Sequence, residues 1–194
     1  MRKLRTDYLD LVLLHQPFSD YYGAYRALED LYDEGKLRAI GVSNFYSDRH
    51  VDIASFSRIK PMVNQVETHP FNQQVEAKKW MDKYGIQIEA WAPFGEGRGG
   101  LFENPALVEI AQKYKKTTAQ VILRWHIQCG VIVIPKSTHK ERMQENLNIF
   151  DFALDQADMK LISELDKKQS SFFSHSDPAT VEWFVQVVEE RKGK

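Results

Sequence analysis

Lys136 and Ser137 close a short apolar run, and Arg142 follows one helical turn into the next segment, so two cations, a hydroxyl and free helix N–H groups converge on one spot. Unpaired amides and the helix dipole both favour negative charge there, which makes the spot a phosphate site. Thr138-His139-Lys140-Glu141 has the spacing of a capping box and predicts Thr138 as the cap of a helix running to Phe150. Glu145 and Asn146, one turn further on, are within reach of a base or a ribose. The competing reading is a solvated, charged helix start.

Other apolar runs end in polar residues as well. One ends in His15 and Gln16, the next in Ser43 and Asn44; a third carries Asn64, Gln65 and Glu67, and a fourth ends in Trp91. Ser43, Asn44 and Gln65 offer the donors and acceptors that recognise a carboxamide. Trp91 can stack on a flat ring. Taken singly, His15 reads as a satisfied structural group and Trp91 as core packing; it is the repetition over five runs that points to a site. The histidines at 15, 50, 69, 126, 139 and 175 show no metal-ligand spacing, so no metal site is predicted.

These residues need elements to position them. The runs Tyr8 to His15, Arg38 to Asn44, Met62 to Glu67, Ile86 to Trp91 and Val131 to Lys136 are rich in Val, Ile or Leu, as strands covered on both faces should be. Segments of helical period separate them. Tyr22 to Glu34 stops at Gly35, Asp48 to Ser57 follows, and Gln73 to Tyr84 stops at Gly85, both glycines suiting a left-handed helix end. The longer fourth gap holds two helices, one opened by Asn104-Pro105 and one by the capping box Thr117-Thr118-Ala119-Gln120. Asp155 begins a short helix to Leu165, and Asp177-Pro178 a terminal one. Strand and helix alternation implies parallel pairing, and polar strand ends on one rim imply the C-terminal half of a parallel α/β barrel.

The chain has 194 residues, 43% hydrophobic and 12% aromatic, enough for a sizeable core. Its 26 basic and 27 acidic side chains nearly cancel, so no overall field draws nucleic acid or an anionic membrane, and no membrane or nucleic-acid partner is expected. The single cysteine, Cys129, together with no secretory h-region and no long apolar run, predicts a cytoplasmic location.

Leu14-His15-Gln16-Pro17, Gly41-Val42-Ser43-Asn44-Phe45, Asn64-Gln65-Val66-Glu67 with His69-Pro70, Ala90-Trp91-Ala92-Pro93 and Ile134-Pro135-Lys136-Ser137 resemble segments of the aldo-keto reductases, in that family's order and spacing. The resemblance covers nearly the whole chain and is greatest to the prokaryotic branch that includes the 2,5-diketo-D-gluconate reductases. It implies NADPH-dependent reduction of an aldehyde or ketone on a (β/α)₈ barrel, with a small carbonyl compound as substrate. Residues 1–194 would be a single domain, a partial TIM barrel holding about strands four to eight; the alternative is a half-barrel completed by another chain.

Of the family's Asp, Tyr, Lys and His tetrad, only the histidine has a counterpart here, His15, and the other three would precede Met1. The resemblance further implies that Ser43, Asn44 and Gln65 hold the nicotinamide carboxamide and that Trp91 stacks on its ring. Lys136, Ser137 and Arg142 would grip the 2′-phosphate, with Asn146 near the adenine. Glu96 departs from the family's small polar residue near the pyrophosphate and would repel it unless turned away. A second function follows the missing acid: a non-catalytic half-barrel that binds nucleotide or a protein partner. The residues 170–177 and Trp183 belong to a tail that covers the pocket or simply packs. Open strand edges predict self-association.

Overall fold

The computed structural model describes residues 2–192. Five strands lie inside the five apolar runs: β1 (Val12–Leu14), β2 (Ile40–Ser43), β3 (Val63–Glu67), β4 (Gln87–Trp91) and β5 (Ile132–Val133). They form one all-parallel sheet in the order β1-β2-β3-β4-β5, with Leu13 opposite Gly41, Ser43 opposite Gln65, Glu67 opposite Trp91 and Ala90 opposite Val133. Gly41 suits a close crossing, because a Cβ there would stand 2.4 Å from Val63 O.

Every strand is shorter than its apolar run. β2 is wholly buried and β3 nearly so, whereas β1 is half-buried throughout and β5 is partly exposed. The expectation of strands covered on both faces therefore holds in the middle of the sheet and fails at its margins. The cause is geometric, since β1 and β5 each have a neighbour on one side only.

The helices are α1 (Tyr21–Asp33), α2 (Ser47–Phe56), α3 (Val75–Tyr84), α4 (Pro105–Tyr114), α5 (Thr118–Gln128), α6 (Lys140–Leu147), α7 (Gln156–Ser163) and α8 (Pro178–Lys192). The side chain of Asn104 accepts from Ala106 N and Leu107 N to start α4, and the capping boxes at Thr117–Gln120 and Asp155–Asp158 are fully formed. Gly85 closes α3 at φ 72°, a left-handed conformation that glycine takes without strain.

Three apolar clusters tie these elements together. Tyr25, Leu37, Ile40, Val42, Phe45 and Ile53 lie under β1 and β2; Val66, Met81, Ile86, Ile88 and Ala90 lie under β3 and β4; Leu101, Leu107, Ile110, Ile122, Trp125 and Ile162 join α4, α5 and α7. Along the β5 margin Ile132, Ile134, Met143, Leu147 and Phe150 stay exposed. Among the described residues no helix is long and apolar enough to cross a membrane, and no group of three His, Cys, Asp or Glu side chains is placed to hold a metal ion.

Candidate cofactor site at the strand ends

Because the sheet is parallel, His15, Ser43, Asn44, Glu67, Trp91 and Lys136 all emerge at its C-terminal end, where α/β folds place their ligands. The backbone after β1 and polar side chains at the ends of β2 and β4 are joined directly. Asn44 takes φ 64°, which turns the chain sharply, and its Nδ2 donates to His15 O and to Ser43 Oγ, each at 3.1 Å. Its Oδ1 accepts from Trp91 Nε1 at 2.8 Å. Ser43 Oγ donates to Gln65 O at 2.9 Å, and Gln65 Nε2 donates to Glu89 Oε1 at 2.5 Å. Both Asn44 amide hydrogens are thus committed; one lone pair on Asn44 Oδ1 and the remaining donor and acceptor of Gln65 are left for a carboxamide. Gln16 Oε1 is buried with no partner among the described residues.

His15 itself lies one residue past β1 and is exposed. His175, from the tail, stands near enough for its charge to be felt. Burial pushes the His175 imidazole down to about 4; Glu67 opposes that fall and His15 adds to it.

The second cluster surrounds β5 and α6. Lys136, Ser137, Arg142, Glu145 and Asn146 line one cavity of about 730 Å³ together with Thr138, His139, Thr117 and Thr118. Phe94, Glu96 and Gly97 form another wall, so the loop that leaves Trp91 runs into the same cavity. Among the described residues neither Lys136 nor Arg142 forms an ion pair, whereas Glu96 faces Arg98 at 3.7 Å, which offsets the repulsion its carboxylate would exert on an anion. The expected cap needs correction. His139, not Thr138, is the N-cap of α6, and it makes no side-chain cap bond. Ser137 Oγ accepts from His139 N at 3.1 Å instead, so the helix starts one residue later, and it ends at Leu147 rather than Phe150. The first amides of α6 are therefore left without a capping side chain, which favours an anion more than the expected capping box would.

Glu67 has a role that the apolar-run pattern could not show. Completely buried at the end of β3, it accepts from His69 Nε2 at 2.9 Å, from Ser171 N at 2.8 Å and from Ser170 Oγ. Burial alone would raise its carboxyl, but these hydrogen bonds outweigh that and hold it below the ordinary value of 4.5. His69 Nδ1 accepts from Phe71 N at 3.2 Å, which fixes the tautomer with its proton on Nε2, facing Glu67. Phe172, from the tail segment 170–177, also reaches this end of the sheet, as does Arg98, which no sequence pattern marks.

A model of the aldo/keto reductase family matches residues 1–167. An uncharacterized oxidoreductase, YtbE of Bacillus subtilis (strain 168), is 49% identical over 168 residues, covering 86% of this chain and 59% of that protein. A glyoxal reductase of the same organism is 49% identical over 170 residues, covering 87% of this chain and 61% of its own length. The chain thus spans about three-fifths of the curated relatives it matches. Among solved structures, a mutant of Gox0644 in complex with NADPH superposes with a TM-score of 0.85 at 40% identity, covering 90% of this chain and 65% of that one.

Proposed function

The chain belongs to the aldo/keto reductase family, and from that premise we propose that it holds the cofactor and the catalytic histidine of an NADPH-dependent reductase of small aldehydes and ketones, dicarbonyls such as glyoxal among them. The observation that carries this reading is the convergence of Lys136, Ser137, Arg142 and Asn146 on one cavity, whose far wall is the loop leaving Trp91. We read the five strands as strands four to eight of a (β/α)₈ barrel forming one domain, located in the cytoplasm. The bound relative and the glyoxal reductase support the cofactor and the chemistry; they lend nothing to a non-catalytic half-barrel.

NADPH, when bound, supplies the hydride. The chain's own part is binding and orientation. Lys136 and Arg142 would pair with the 2′-phosphate at the open start of α6, each charge-assisted bond contributing about 1.5–3 kcal/mol before screening. Asn146 and Glu145 would meet the adenosine, and the free valences of Asn44 and Gln65 would hold the carboxamide beside Trp91. His15, exposed at the end of β1, would donate a hydrogen bond to the carbonyl oxygen and orient it. Fluorescence titration tests this reading: NADPH should bind saturably and at least about tenfold more tightly than NADH, as one 2′-phosphate bond to a cation requires. Equal affinities would overturn it.

A further inference from the structure

The segment after α7 lies across the same end of the sheet. Ser170 Oγ and Ser171 N both donate to the buried Glu67 carboxylate. Ser170 Oγ in turn accepts from Phe172 N at 3.0 Å and Phe173 N at 3.1 Å, closing a tight turn. The turn sets the Phe172 ring 5.0 Å from that of Trp91, inclined at 58°. Arg98 holds it there. Its guanidinium carbon lies 4.2 Å from the centre of the Phe172 ring, and its Nη1 donates to Ser171 O at 3.2 Å.

Trp91 is only half-buried, and its Nε1 edge is committed to Asn44, so the indole cannot rotate to offer a different face without breaking that bond. Phe172 packs against the indole so fixed, at the end of the sheet where the proposed cofactor would lie. We infer that the strap Ser170–Phe173 and the nicotinamide ring compete for Trp91, so that the cofactor seats fully only after Phe172 leaves, with Arg98 as the latch that keeps the strap closed. The inference rests on the function proposed above. Aromatic pairing and a cation over a ring each favour the closed strap several-fold, and the apparent affinity of a competing ligand falls by the fraction that remains open.

Two ligands separate the strap from the phosphate site. Phe172→Ala should tighten NADPH about threefold to tenfold. It should leave adenosine 2′,5′-bisphosphate unchanged, because that ligand has the phosphate end and no nicotinamide. In the unaltered chain, amide exchange at Phe172 and Phe173 should speed up on saturation with NADPH while that of α6 slows. Unchanged or weaker NADPH binding by the variant, or a strap that becomes more protected, would show that it folds over the cofactor and would overturn the inference. Should neither ligand bind the unaltered chain, the proposed function itself fails and the strap's role falls with it.

Discussion

Removing charge at the start of α6 is the perturbation whose size can be worked out most directly. Lys136 and Arg142 are both exposed, and among the described residues neither is neutralised by an acidic partner. A dianionic 2′-phosphate about 4 Å from one cation gains on the order of 1 kcal/mol per charge pair in bulk water and about 4 at the effective dielectric of a protein surface. Exposure places these side chains toward the lower figure. Arg142→Ala or Lys136→Ala should each weaken NADPH about tenfold, and the double variant less than the product, since both cations act on one group. NADH, which lacks the phosphate, should change by less than about twofold. The NADPH loss should shrink as salt is raised from about 0.05 to 0.5 M, because exposed pairs are screened. Isothermal titration of both cofactors at two ionic strengths reads all four numbers. Equal losses for NADPH and NADH would refute the assignment of the cations to the 2′-phosphate.

Three further outcomes follow from the geometry. His126 is fully buried between Ile122 O at 2.8 Å and Thr68 O at 3.0 Å, and burial holds it down to about 4. The unfolded chain then binds a proton that the folded chain refuses, so His126 by itself should withdraw about 3 kcal/mol of stability as pH drops from about 6.5 to about 4, with His175 adding to the fall; denaturant midpoints that stay flat over that window would contradict it. Thr117→Ala removes the hydroxyl that accepts from Gln120 N at 3.2 Å and should cost about 1 kcal/mol in urea unfolding, while Thr118→Ala, one residue into the helix, should cost less. The open edges of β1 and β5, with exposed Ile132, Ile134, Met143, Leu147 and Phe150 beside the latter, should drive concentration-dependent association in sedimentation, and a stable monomer at high concentration would count against it.

The strand ends were legible because a polar residue closing an apolar run has few explanations in a parallel sheet. That is why Lys136, Ser137, Arg142, Glu145 and Asn146 could be grouped from sequence, and the structure gathers them on one cavity. Strand length was not legible: residues such as Tyr8 and Ile134 continue the apolar pattern but lie outside the paired ladders, and Leu9 keeps only an isolated bridge to Leu37. Thr138 misled for a local reason, since Ser137 takes the His139 amide first and shifts the helix start. Glu67 matched a rim residue by position yet serves as the buried anchor of a segment about a hundred residues downstream. The Arg98–Phe172 contact joins residues 74 positions apart with no shared pattern, and only the folded chain brings them together.

Phosphorus NMR of the bound cofactor tests the grip on the 2′-phosphate most directly. A free phosphate of this type loses its last proton near pH 6. If Lys136 and Arg142 hold the dianion, the 2′-phosphate signal of bound NADPH should titrate well below that value and move back toward it in the Lys136→Ala, Arg142→Ala double variant. A bound 2′-phosphate that titrates as it does free in solution would contradict the account.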